Sequence, residues 1–291
     1  MIRSRGEKVF NIANIVFMLA LGFVMIYPVA YVFGRSFMTD VERSTRPFGI
    51  IAKDWNIEGY KFIFSNQSNV PGSYAVTIAR TLIGTVFNLL FTAFAAYVLS
   101  KRYYPLRKPV TILIVFTMWF SGGLIPNFLL IRSLGLMNNF MVYILPGLIN
   151  PWNMLLLRNF FEQIPDSIEE SARIDGAGDW IILFRIVLPL SGAALATIGL
   201  FYAVWHWNSW FDAMLYTSDR SMWTVQLLLR EMVNDSNMAN LLSASATVEV
   251  QPQSETVKLS TIVASTIPIL CVYPFLQKYF VKGVTVGSVK E

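Results

Sequence analysis

The chain has 291 residues, of which 55% are hydrophobic and only 14% charged, where a soluble domain carries about 25% charged residues. That balance excludes an ordinary soluble fold. The net charge of +5 does not point to nucleic acid, because no basic run with interleaved aromatics lies on a soluble stretch and Lys and Arg are needed at bilayer surfaces for topology. Cys271 and His206 are the single cysteine and the single histidine, so an internal disulfide, a cysteine metal cluster and a paired-histidine metal site are excluded.

Apolar blocks long enough for a bilayer, which needs about 20 helical residues, fall in chain order at 9–33, 73–99, 110–131, 141–157, 190–215 and 258–280. The first follows Arg3, Arg5 and Lys8. It is too long for a signal-peptide core and lacks a small-residue cleavage site, so it is expected to remain as a span. An all-α polytopic membrane protein of about six transmembrane helices results. Its segments are a first helix with an outer loop (1–72), a helical core (73–281) carrying an inner loop (158–189), and a tail (282–291). With the N-terminus inside, the inner segments carry about twice the Lys and Arg density of the outer ones, which places both termini in the cytoplasm. The outer segments are 34–72 and 216–257, the second polar with Asp219, Glu231, Asp235, Glu249 and Glu255. No internal repeat and no discontinuous helix of the kind found in secondary transporters is expected.

The inner loop reads IPDSIEESARIDGAGDWIILFRIVLP over 164–189. Asp166 is expected as an N-cap, with Glu169 three residues on completing a capping box. The helix then runs over about 167–174 and stops at Asp175-Gly176, where glycine permits a left-handed turn. Ile168 and Ala172 share one face. A second helix starts near Asp179 with an apolar stripe of Trp180, Leu183, Phe184 and Val187, and Pro189 leads into the fifth span.

The series Glu170, Ser171, Ala172, Asp175, Gly176, Ala177, closed by Leu188-Pro189, resembles the EAA loop of binding-protein-dependent ABC importer permeases. Ser171 stands where that family usually has alanine. The resemblance implies a type I importer permease fold in a bacterial cytoplasmic (inner) membrane and a coupling helix that docks on an ATPase subunit. In that role Glu170 contacts the ATPase, Gly176 supplies the turn, and Ala172 and Ala177 keep the helix close-packed. Implied partners are a second homologous permease, two ATPases, an extracytoplasmic substrate-binding protein and membrane lipid. The sequence has no G-x-x-x-x-G-K-[ST] loop, so the chain is expected to be no enzyme and to hold no cofactor, with ATP and Mg bound by the partner ATPases. Tyr27-Pro28, Arg80-Thr81, the 206–210 run and the 277–283 tail look most like the maltose-type carbohydrate branch for complex oligosaccharides, which includes alginate-like acidic substrates.

A sugar path draws on aromatic faces and amides. The candidates are Arg80, Trp119, Asn153, Tyr202, Trp205, Trp207 and Asn208; Trp207 lies about 27 Å along a helix from Pro189. An interfacial aromatic belt is the competing reading for the 202–210 cluster, and snorkelling or a structural ion pair for Arg80. The alternative function, an ion-coupled secondary transporter, would need titratable groups within the spans, and no Asp or Glu is expected there.

Overall fold

A computed structural model of the chain describes residues 5–65, 68–234 and 255–288, with side chains through Cys271. Asp235 and Glu249 of the expected polar loop lie outside the described residues, as do the side chains of the 277–283 tail. Every regular element among the described residues is helical.

Two helices are long and apolar enough to cross a bilayer unbroken, Gly6–Arg35 and Val70–Ser100. Three helix pairs are long and apolar enough only when taken together, each bent as in a broken span or a re-entrant loop: Arg107–Trp119 with Leu124–Ser133 at 115°, Phe140–Gly147 with Pro151–Phe161 at 54°, and Asp179–Leu190 with Gly192–Asn208 at 84°. The 34-residue helix Glu255–Ser288 is long enough for the sixth. The expectation of continuous spans is therefore corrected. Each break falls on punctuation present in the sequence: Ser121-Gly122-Gly123, Asn150-Pro151 and Ser191-Gly192. Such residues either lack the side chain that favours helix or remove a donor from its ladder.

The chain divides into two compact units, Met1–Pro71 with Leu229–Ile267, and Gly72–Leu228 with Pro268–Glu291. In the first unit the long N-terminal helix buries none of its apolar window against the chain, which leaves that surface for lipid or another subunit. The segment after it is tied down by Arg43, 3% exposed. Its guanidinium donates to the carbonyls of Arg35 at 2.9 Å and Met38 at 2.7 Å, and also to Asp40 and Thr256. Phe37 stacks on Tyr60 with ring centroids 5.0 Å apart.

In the second unit the main core joins the second, fourth and fifth spans through Ala96, Met154, Leu157, Leu183, Val187 and Ile198. Lipid tails are as apolar as these side chains, so burial alone drives little association; close packing and buried polar contacts must hold the helices. Ala93 and Ala96, both buried, let the second span approach its neighbours. A smaller core of Ile131, Val142, Ile144, Ala213 and Leu227 lies at the other breaks.

Candidate functional sites: a projecting loop and a cleft at a broken span

The inner loop folds as a helix, Asp166–Ile174, a tight turn, and a second helix from Asp179. Pro165 occupies the N-cap and no side chain caps the helix, which corrects the expected capping box. Asp166 instead sits in the first turn, where its charge complements the helix dipole. Glu169 is drawn away to the ammonium of Lys101. Both side chains are nearly buried, at 11% and 13% exposure, and the Lys101 ammonium also lies 4.1 Å from the Tyr97 ring centroid. This contact anchors the loop helix to the end of the second span.

The turn is a Schellman motif. The Gly176 amide donates to the Arg173 carbonyl at 3.0 Å and the Ala177 amide to the Ala172 carbonyl at 2.9 Å. Gly176 has φ +83°, a conformation that a Cβ penalises. Ala172 and Ala177 both pack against the main core, while Glu170, Ser171 and Asp175 are exposed, and Ile174 is 86% exposed. Arg173 bridges the two arms, donating to Tyr103 at 2.8 Å and Asp179 at 3.0 Å. The Tyr103 contact raises its pKa above the ordinary arginine value.

The stripe expected on the second helix is divided. Leu183 and Val187 are buried with Ile182, whereas Trp180 and Phe184 remain exposed and pack edge-on against Phe94. Residues 183–187 form a π-turn.

Within the spans, Arg80 is fully buried. Its guanidinium forks onto the Asp212 carboxylate, 3.0 Å on one arm, and its Nε donates to His206 Nδ1 at 3.3 Å. His206 Nε2 meets Asn88 Oδ1 at 2.7 Å, and Asn88 Nδ2 donates to the carbonyls of Gly147 at 2.6 Å and Leu148 at 2.9 Å. The partners fix every role: Asn88 has spent its donors on carbonyls, so His206 must be the Nε2–H neutral tautomer and accept from Arg80. Arg80 thus takes the structural ion pair rather than snorkelling. Asp212, within the 190–215 apolar block, lies past the end of the fifth-span helix at Asn208, in the separate short helix Phe211–Tyr216. A carboxylate is tolerable there because Arg80, Ser209 Oγ at 3.1 Å and the Ala213 amide at 2.9 Å compensate it. The signal was present, since a buried cation in a span calls for an anion close to it.

The fourth-span break opens a cleft of about 530 Å³ lined by Asn150, Trp152, Asn153, Phe201, Tyr202 and Trp205, among others. Asn153, Tyr202 and Trp205 of the sequence candidates meet here. Arg80 lies behind the cleft, its guanidinium 5.8 Å from the Trp205 ring centroid. Trp119 stands elsewhere, 82% exposed at a helix end. Half-buried Trp207 does not line the cleft, nor does Asn208, whose amide folds back onto the Val204 carbonyl at 2.8 Å. Tyr202 hydroxyl accepts from the Asn150 amide at 3.0 Å and pairs with Thr92 Oγ1 at 2.7 Å, so it serves the break. Among the described residues no group of three or more His, Cys, Asp or Glu could hold a metal ion.

The sequence profile of the binding-protein-dependent transport system inner membrane component family matches residues 106–286, covering the loop, the cleft and the fifth span. Protein LplC of Bacillus subtilis (strain 168) is 41% identical over 99% of this chain and 97% of its own length. The polygalacturonan/rhamnogalacturonan transport system permease protein YtcP of the same organism is 42% identical over 98% and 99%. A solved bacterial ABC transporter involved in the import of the acidic polysaccharide alginate contains a chain that superposes with TM-score 0.86 at 35% identity, covering 96% of this chain and 99% of that one. The chain is a member of the family of binding-protein-dependent transport system inner membrane components, as a membrane-embedded ABC importer permease subunit.

Proposed function

We propose that this chain is one of two permease subunits of an ATP-driven importer for acidic oligosaccharides in a bacterial cytoplasmic membrane. A similar second permease completes the pathway, two ATPase subunits bind ATP and Mg, and an extracytoplasmic binding protein delivers the sugar. The chain itself contributes no nucleotide site, and both termini face the cytoplasm. The acidic substrate class is supported by relatives whose names specify polygalacturonan and rhamnogalacturonan and by the alginate importer. Family membership sets aside ion-coupled secondary transport.

The observation that carries the coupling role is the loop helix itself. Its inward face is anchored by Ala172, Ala177 and the Lys101–Glu169 pair, while Glu170, Ser171, Asp175 and Ile174 face outward without packing. A helix held rigidly at its base and free at its tip can transmit a displacement to the spans. The intact importer, purified with its binding protein, tests this through Glu170→Lys and Gly176→Val. Both variants are expected to lose most of the ATPase stimulation by loaded binding protein and to lose copurifying ATPase. Full stimulation in both variants refutes the coupling role.

A further inference from the structure

The cleft at the fourth-span break presents a side-chain amide with no protein partner among the described residues. Asn153 is 7% exposed and lines the cleft. Its backbone amide is satisfied by Asn150 Oδ1 at 3.1 Å, but no hydrogen bond reaches its side-chain amide among the described residues. Its amide atoms keep access to the open cleft, where a hydroxyl or water can meet them. Beside it stand two large aromatic faces, Trp152 at 59% and Trp205 at 46% exposure. Trp205 is held in place on three sides: its Cη2 lies where a Cβ on Gly147 would come within 2.8 Å, its ring meets His206 edge-on at 4.7 Å, and Arg80 approaches at 5.8 Å.

Among the described residues no Lys, Arg, Asp or Glu lines the cleft. The nearby cation is spent on Asp212, and the Tyr202 hydroxyl on Thr92 and Asn150. A carboxylate placed here would find no charge partner. A sugar ring suits the site, because its C–H face can stack on an indole while its hydroxyls take an amide donor and acceptor. The volume lies within the usual range of about 300–1,000 Å³ for ligand sites.

We infer that this cleft is a sugar subsite that reads the uncharged face of a pyranose, with Trp205 as the stacking platform and Asn153 binding a hydroxyl, and that it does not read a carboxylate. The inference rests on the oligosaccharide-importer reading above. It assigns that substrate's acidic groups to other parts of the transport system. Arg80, His206 and Asn88 act as positioning residues: they hold Trp205 and the 147–150 break and touch no sugar.

The test is equilibrium binding to the intact detergent-solubilised importer, without binding protein. The two labelled probes are a galacturonate trisaccharide and its fully methyl-esterified, neutral form. Wild type is expected to bind both. Trp205→Leu should weaken both by the same factor, about 5–10-fold, and Trp205→Phe should recover to within about 3-fold of wild type. Asn153→Leu should weaken both by about 3–10-fold. Variants that bind like wild type overturn the subsite, as does a loss confined to the charged probe or a wild type that binds neither. Wild type that binds the ester but rejects the acid leaves the subsite standing and removes the acidic-substrate reading instead.

Discussion

Asp212→Asn removes the charge that compensates Arg80 while preserving the shape of the side chain. Arg80 has no exposed surface and Asp212 is 20% exposed, so water can relieve the carboxylate in part but not the guanidinium. Breaking a buried pair from one side costs about 3–5 kcal/mol, because an uncompensated charge remains, whereas replacing both partners by apolar groups of similar volume is about neutral. Asp212→Asn alone should therefore lower stability by about 3–5 kcal/mol, and adding Arg80→Met should recover at least about half of that. The coupling is measured by unfolding the detergent-solubilised importer in increasing denaturant and comparing wild type, both single variants and the double variant. An Asp212→Asn protein within about 0.5 kcal/mol of wild type, or strictly additive single losses, would show that the pair is not the buried ion lock described here.

Lys101→Ala leaves Glu169 nearly buried without its cation; transport per ATP hydrolysed should fall several-fold, and exchanging the two residues, Lys101→Glu with Glu169→Lys, should restore most of it. Gly84→Ala puts a methyl group into the His206 ring, so the folded importer should lose about 1–3 kcal/mol from overpacking, read as a lower thermal midpoint. Arg43→Met strips the donors from the Arg35 and Met38 carbonyls; limited proteolysis should then cut the 36–57 segment faster while sites in residues 72–228 keep their wild-type rates.

The sequence gives up some of this architecture readily and hides the rest, for physical reasons. Span number and approximate position follow from apolar run length, which is a local property. The loop turn was legible because Asp-Gly after an amphipathic helix leaves few other backbone solutions, and Gly176 adopts the expected left-handed conformation. The capping box does not form, because spacing within one segment carries no information about a competing partner. Glu169 is claimed by Lys101, a residue 68 positions away, and no periodicity reports a partner at that separation. The same blindness hid Asp212 behind Arg80, 132 positions earlier. The aromatic cluster at 202–210 is dense in the sequence, but a helix projects its residues in different directions. Tyr202 and Trp205 reach the cleft; Trp207 and Asn208 do not line it.

The break in the fourth span and the buried polar groups around it belong together. In hydrocarbon each carbonyl or amide released from the helix ladder must find an internal partner or line a wet cavity. The fourth span meets that requirement from two sides: Asn88 takes the Gly147 and Leu148 carbonyls and Tyr202 takes the Asn150 amide. Those partners must themselves be oriented, which is what His206 and Arg80 do for Asn88 and Thr92 does for Tyr202. Such a break is costly to build and gives a membrane helix something an unbroken one lacks, a recess with room for a polar ligand. That the unclaimed amide of Asn153 and the faces of Trp152 and Trp205 open at this break, rather than along an intact stretch of helix, is the physical reason to look for the sugar there.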